Sequence, residues 1–183
     1  FNHWNLEKDG TGTIVNTINN LTTEKEKVIT LYAQWTPITY YIEFRDNTGI
    51  PPLPTDPFME IQKCTYNQEY KLNKNIFTRE GYVFNSWNTK ANGSGTSYKD
   101  QATVKNLSTK NNAYIMLYAQ WKPITYNVKY DGNGATSGSM SNSNHTYDVS
   151  KALTANGYTR TGYTFNGWNT KADGSGITYF DQA

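Results

Sequence analysis

Gly162-Tyr163-Thr164-Phe165-Asn166-Gly167-Trp168-Asn169-Thr170-Lys171-Ala172-Asp173-Gly174-Ser175-Gly176 decides how this chain is read. Gly81-Tyr82-Val83-Phe84-Asn85-Ser86-Trp87-Asn88-Thr89-Lys90-Ala91-Asn92-Gly93-Ser94-Gly95 repeats it 81 residues earlier. Carried on to Ala102 and Ala183, the two copies agree at 16 of 22 positions. A third, worn copy opens the chain as Phe1-Asn2-His3-Trp4-Asn5 followed by Asp9-Gly10-Thr11-Gly12. A period this long is the mark of an array of modules, each one supersecondary unit.

Working outward, Leu31-Tyr32-Ala33-Gln34-Trp35 recurs as Leu117-Tyr118-Ala119-Gln120-Trp121. Leu, Ala and Trp share one parity and Tyr and Gln the other, the pattern of a strand with one buried face. Thr36-Pro37-Ile38-Thr39-Tyr40 and Lys122-Pro123-Ile124-Thr125-Tyr126 follow, and a proline without a ladder donor marks each as a seam between modules. Beyond each seam a first strand alternates. Tyr40, Ile42 and Phe44 oppose Thr39, Tyr41, Glu43 and Arg45, and Tyr126, Val128 and Tyr130 oppose Thr125, Asn127, Lys129 and Asp131. Asp131-Gly132-Asn133-Gly134 then turns the chain.

These landmarks divide the chain into residues 1–36, the C-terminal half of a repeat, residues 37–122, a complete repeat, and residues 123–183, a repeat lacking its last strand. The middle copy carries five extra residues within the Pro-rich segment 48–57, which reads as an exposed loop. Residues 66–72 and 147–153 read as a second strand or a strand running into a short turn. Residues 100–107 read as a short helix or a wide turn. In the Gly-Tyr-x-Phe-Asn strand the Trp falls on the opposite parity to Tyr and Phe. A bulge near Ser86 and Gly167 is needed to bring all three rings to one side. A module this small buries only about 60% of its unfolded surface. Aromatics are the remedy, and the chain holds 15 Tyr, 7 Phe and 5 Trp. Tyr82, Phe84, Trp87, Trp121 and their equivalents therefore read as core.

Composition narrows the function. Seventeen Lys and Arg against 15 Asp and Glu leave a net charge of +2, too small and too interspersed for a nucleic-acid footprint. No apolar run approaches the ~20 residues needed to cross a bilayer. No signal peptide or wall-anchor motif is seen, and a chain that starts and stops inside a repeat reads as an excised piece. Cys64 stands alone, so no intrachain disulfide forms, and it reads as a half-buried small side chain. His3 and His145 occupy unrelated positions in the repeat and read as surface histidines, not as a metal or acid–base pair. Asp131-Gly132-Asn133 looks like half a calcium loop but lacks the downstream Glu, and reads as a turn. The Gly-Ser-Gly elements after Asn92 and Asp173 lack the Lys-Ser/Thr of a phosphate loop and read as turns too. No catalytic, metal or cofactor residues emerge. The ligand-contact candidates are Tyr41, Tyr118 and Tyr32 on the predicted wet face, since exposed Tyr is a frequent sugar or protein contact.

The pairing of Gly162-Tyr163-x-Phe165-x-Gly167-Trp168 with Leu117-Tyr118-Ala119-Gln120-Trp121 resembles the Listeria–Bacteroides repeat, the B-repeat of internalin-type surface proteins. The resemblance implies an α+β but mostly β fold: tandem small β-grasp-like modules, here one complete and two partial, with a short helix or crossover. It implies tandem placement on secreted or wall-attached bacterial proteins, as spacer, stalk or host-contact surface in adhesion, and it carries no catalytic residues. The Pro-rich insertion and the shortened first copy depart from its pattern, in loops.

A non-enzymatic, extracellular spacer at the bacterial cell surface is thus expected, with neighbouring repeats and a host protein or glycan as partners. The rival is a carbohydrate- or receptor-binding module, which requires three or more exposed aromatics in one groove at the same place in both modules. An enzyme ranks third and requires a cleft of clustered ionisable groups. Partial modules leave unpaired edges, so residues 28–35 of one molecule are expected to complete the sheet of 123–183 in another.

Overall fold

A computed structural model describes residues 1–49 and 57–182. Most of the Pro-rich insertion, with the expectation attached to it, lies outside the described residues. The strands run β1 (His3–Asn5), β2 (Ile14–Val15) and β3 (Tyr32–Gln34); β4 (Thr39–Arg45), β5 (Gln62–Thr65), β6 (Glu69–Lys71), β7 (Tyr82–Asn88), β8 (Ser97–Tyr98), β9 (Thr103–Lys105) and β10 (Ala113–Pro123); then β11 (Thr125–Val128), β12 (Ser137–Gly138), β13 (Ser143–Thr146), β14 (Tyr158–Thr159), β15 (Trp168–Asn169) and β16 (Thr178–Tyr179).

The middle copy is built on one mixed sheet in the order β5-β4-β10-β7-β8. At its centre β4 and β10 run parallel, Ala113 opposite Tyr40 through Tyr118 opposite Arg45. The other edge of β10 takes β7 antiparallel. One face of this sheet carries Tyr40, Ile42, Phe44, Leu117, Ala119 and Trp87, all buried, with Met59, Cys64, Leu72, Phe77 and Val104 closing over them. The expected bulge is present. The register between β7 and β10 slips between Gln120 and Trp121, so Asn85 is the extra residue. After it, Ser86, Trp87 and Asn88 are buried in succession and Trp87 meets Phe84 at 5.0 Å. Complete burial of such an indole removes ~200 Å² from water, worth at most ~5 kcal/mol.

Two expectations are corrected. The described residues contain no helix, so the α part of the α+β assignment fails. Within residues 100–107, Val104 must reach the core while Thr103 and Lys105 face water, an alternation that suits strand β9, paired with β6. The strand read over residues 66–72 is present in the middle copy as β6 (Glu69–Lys71), separated from β5 by a turn in which Asn67 lies in the left-handed region at φ 66°. In the last copy, Asp148 makes the same turn at φ 57° and no strand follows over residues 149–153.

The copies share their backbone exceptions. Left-handed residues recur in equivalent places at Asn47 and Asn133, Asn20 and Asn106, and Gln101 and Gln182. Ring geometry recurs as well. Trp87 lies 4.9, 5.0 and 6.1 Å from Phe44, Phe84 and Phe77, and Trp168 lies 4.9, 4.9 and 6.3 Å from Tyr130, Phe165 and Tyr158.

Burial differs. Residues 1–35 form a three-stranded sheet, β2-β1-β3, and the last copy forms separate pairs β11-β13, β12-β14 and β15-β16. Trp168 is half-buried where Trp87 is fully buried.

Candidate functional site: the module seam and the outer tyrosine face

Two features stand out as places where this chain could act. The first is the junction between the middle and last copies. β10 runs to Pro123, Ile124 follows, and β11 begins at Thr125, so the polypeptide crosses the seam extended and without a loop. Pro123 takes the last pairing of β10, opposite Tyr82, where a missing N–H costs the sheet least. The Ile124 amide donates to the Gly81 carbonyl (2.9 Å), and the Tyr147 amide donates to the Ile124 carbonyl (3.0 Å).

Side chains close the same joint. Tyr82 packs edge-on against Tyr147 at 5.7 Å, and its hydroxyl donates to the Asp148 carboxylate at 2.9 Å. That hydrogen bond is the chief reason the Tyr82 phenol ionises above its ordinary range. On the other side of the ring the Arg79 guanidinium stacks at 3.9 Å, a cation–π contact. Gly81 adopts φ 73°, and a Cβ built there would run into the Tyr147 ring. Glycine is needed at this point for its conformation and for the close approach. The sequence reading placed Tyr82 among the core rings. Instead, Tyr82 is half-buried and serves the joint.

A loop at the end of β7 away from the seam is organised alike in every copy, and the reading of residue types alone did not find its organiser. It is the Asn of each Trp-Asn pair. Buried Asn88 donates to the Gly93 carbonyl (3.0 Å), the Gly95 carbonyl (3.2 Å) and Ser97 Oγ (2.8 Å), and accepts from the Lys90 and Gly95 amides (2.8 and 3.0 Å). Asn169 repeats this set around residues 171–178, and Asn5 repeats part of it around residues 7–12. The Gly-Ser-Gly elements are turns, as read. Asp173 accepts from the Ser175 amide at 3.0 Å, which holds its carboxyl below the usual range.

The second feature is the outer face of the five-stranded sheet. Tyr41 and Tyr118 lie there, both half-buried, as expected. Tyr41 stacks on Tyr114 at 5.0 Å, and the Tyr118 hydroxyl sits 3.4 Å from Met116 Sδ. Tyr114 and Met116, both exposed, were missed, because the strand signal was centred on the Leu-Tyr-Ala-Gln-Trp core that follows them. Glu43 and Arg45 pair at 2.6 Å along the same face. Tyr32 lies apart from this group, half-buried in β3. In the last copy the positions of Tyr41 and Glu43 hold Asn127 and Lys129, so no matching aromatic patch forms.

The remaining candidates are structural. His145 is buried, a correction to its reading as a surface residue. It stacks on Tyr126 at 5.6 Å and its Nε2 lies 2.8 Å from Ser143 Oγ, in the strand position held by Cys64 in the middle copy. His3 is half-buried in β1. Cys64 is fully buried, beyond the half-burial expected, and burial pushes its thiol pKa up. Around Asp131 a shallow dish of about 350 Å³ is lined by residues 131–138 and Tyr158. There Asp131 accepts from the Asn133 amide at 2.9 Å, and Asn133 donates to the Ala172 carbonyl at 2.9 Å, as Asn47 does to Ala91. Among the described residues no group of three His, Cys, Asp or Glu converges.

A family model described as the Listeria-Bacteroides repeat domain matches residues 40–120 and 126–183. Two relatives come from Evansella cellulosilytica. One, whose name describes a Gly-rich membrane protein, is 38% identical over 104 residues, 56% of this chain and 12% of its own length. The other, named as a membrane protein, is 45% identical over 64 residues, 34% of this chain and 10% of its own length. This chain therefore spans about a tenth of the relatives it matches. No solved structure matches it. Among the described residues no helix is long and apolar enough to cross a membrane.

Proposed function

This chain belongs to the Listeria–Bacteroides repeat family, and from that premise we propose that it is a non-enzymatic spacer segment of an envelope-associated bacterial protein. Its modules stack to hold other parts of the protein away from the cell, on the extracellular side. The observation that carries this reading is the seam. One extended strand passes from module to module, and Gly81, Tyr82 and Arg79 grip Tyr147 and Asp148 beside it. A joint without a loop transmits force and orientation. The relatives named as membrane proteins support an envelope setting. The mixed sheet, with its first and last strands parallel at the centre, supports treating each repeat as a helix-free variant of the β-grasp.

Small-angle scattering of chains with increasing numbers of repeats tests the spacer role. The maximum dimension should rise by a constant step per repeat. A square-root rise, as for beads on a flexible string, overturns it.

A second reading, a receptor- or glycan-contact role, is favoured by the Tyr41–Tyr114 stack with Met116 and Tyr118. The replacement of Tyr41 by Asn127 at the equivalent position of the last copy weighs against a repeated carbohydrate site. A glycan and host-protein screen decides between them: saturable binding lost in Tyr114→Ala establishes contact, and no binding leaves the spacer.

A further inference from the structure

Asn92, Asn133, Asn156 and Asn166 each stand directly before a glycine. With no side chain on the next residue, the main-chain nitrogen that follows can approach the asparagine's own amide carbon. Two of these asparagines are tied down. Asn133 donates its side-chain amide to the Ala172 carbonyl at 2.9 Å. Asn156 accepts from the Tyr158 amide at 2.9 Å and donates to the Tyr158 carbonyl at 3.0 Å. Asn166 is exposed, and no hydrogen bond among the described residues engages its side chain.

Asn92 differs from all three. Its Oδ1 accepts from the Ser94 amide at 3.1 Å and from Ser94 Oγ at 2.8 Å. The first of these bonds closes a ring that contains the Gly93 nitrogen, and so keeps the Asn92 amide carbon beside it. Both donors sit on the oxygen where negative charge grows when a nucleophile adds to that carbon. The Asn92 side-chain nitrogen, which would leave, has no partner among the described residues. The Gly93 N–H is bonded to the Lys90 carbonyl at 3.0 Å, and residues 90–94 are exposed throughout, so water reaches that bond and competes for it.

The neighbouring copies hold the corresponding acid. Position 92 is Asp173 in the last copy and Asp9 in the first. Asp173 accepts from the Ser175 amide at 3.0 Å, and Asp9 accepts from the Thr11 amide and hydroxyl at 3.0 and 2.7 Å. These bonds hold both carboxyls below the usual range. A carboxylate therefore fits this turn on the same donors, with charge-assisted bonds in place of neutral ones.

We propose that Asn92 is a self-modification site, hydrolysed through a cyclic imide to aspartate, so that the middle repeat acquires the turn its neighbours are built with. The Gly93 nitrogen, after losing its proton to hydroxide, forms a bond to Asn92 Cγ. The Cγ–Nδ2 bond breaks, and the nitrogen leaves as ammonia with a proton from water. Water then adds to Cγ and the bond from Cγ to the Gly93 nitrogen breaks, which restores the peptide N–H and leaves a carboxylate. One amide and one water become one carboxylate and one ammonium, with no oxidant, reductant or cofactor. Opening the imide at its other carbonyl would give isoaspartate, with an extra carbon in the main chain. Asn88 grips the Gly93 and Gly95 carbonyls at 3.0 and 3.2 Å, a clamp set for the ordinary main chain, so aspartate is the product this loop retains. The net charge falls by one from +2.

Incubation of the intact chain at mildly alkaline pH, followed by peptide mapping with mass spectrometry, tests this. Aspartate should accumulate at position 92 at a rate proportional to hydroxide, ahead of Asn166, while Asn133 and Asn156 stay intact until urea unfolds the chain. Ser94→Ala removes the hydroxyl donor and should slow conversion about fivefold, the worth of one exposed hydrogen bond. Asn92→Asp should be at least as stable as the parent and should focus at the same isoelectric point as the aged protein. Conversion at any of the other three sites ahead of Asn92 in the folded chain, isoaspartate as the main product, a Ser94→Ala rate equal to the parent's, or an Asn92→Asp chain less stable than the parent overturns the inference.

Discussion

Gly81→Ala, set against Gly162→Ala, measures what the seam contributes. Both glycines are left-handed, at φ 73° and 81°, and alanine there costs about 1–2 kcal/mol. Alanine also stiffens the unfolded chain, a benefit of about 0.4–1 kcal/mol common to both sites. The sites differ in what a methyl group meets: nothing at Gly162, the ring of Tyr147 at Gly81. That ring is held by Tyr82 on one side, and its backbone by the hydrogen bond from the Tyr147 N–H to the Ile124 carbonyl, so it must shift together with the joint. Overpacking of this kind adds about 1–3 kcal/mol. Gly81→Ala is therefore expected to lower stability by the larger amount, with the excess disappearing in a Tyr147→Ala background. A double-mutant cycle from urea denaturation, followed by tryptophan fluorescence, gives that coupling directly. Scattering should show the two modules losing their fixed angle in Gly81→Ala alone. An equal penalty with and without the Tyr147 ring would refute the close-packed joint.

Three further outcomes follow from the same contacts. Asn88→Ala should cost the middle module about 3 kcal/mol in urea denaturation, since a buried side chain loses two accepted hydrogen bonds and two N–H donors shared among three acceptors, each bond worth about 1 kcal/mol against some compensation by water; Asn169→Ala, half-buried, should cost less, and equal losses would contradict the burial difference. The Tyr82 phenol has its pKa raised above the ordinary tyrosine value of about 10 chiefly by its hydrogen bond to Asp148, so its contribution to the seam is complete below pH 10 and is lost as pH climbs through the raised value. Asp148→Asn should move one tyrosine back toward pH 10 in a spectrophotometric titration, and an unchanged curve would count against the bond. Cys64, buried with a raised thiol pKa, should react with a disulfide reagent only as fast as residues 37–122 unfold; immediate labelling would show the core to be open.

Much of this was legible because duplication leaves marks that survive in residue type. The strand of residues 117–121, the bulge that turns Trp87 inward, and the place of Trp87, Phe84 and Trp121 in or against the core follow from parity and from what recurs, whereas the equivalents Phe1, Trp4, Trp35, Tyr163 and Phe165, also read as core, are exposed. The short helix did not follow. Residues 103–105 alternate too briefly for periodicity to separate a strand from a helical turn, and the pairing with β6 that settles the matter comes from residues more than thirty positions away. His145 was misplaced for a related reason. A polar residue aligned with a cysteine was assigned to the surface, while strand parity puts both opposite a tyrosine, Cys64 facing Tyr40 and His145 facing Tyr126. The organising asparagines were overlooked because Asn in a Gly-rich stretch reads as turn composition. Its contacts depend on a loop closing around it.

The three copies show why the sheet is not a sum of local signals. Tyr40 and Tyr126 share residue type and position in the repeat, and among the described residues only Tyr40 has a strand on both sides. β10 supplies Leu117 and Ala119 to the core, a parallel edge to β4 and an antiparallel edge to β7, so one element joins the module's two halves. Where that strand is absent, the aromatic cluster around Trp168 persists, because those contacts are made within residues 130–168. The sheet does not. β10 is also the strand that crosses into the next module. Closing one repeat and aligning its neighbour are then a single event, and stiffness along the array follows from completion of each core.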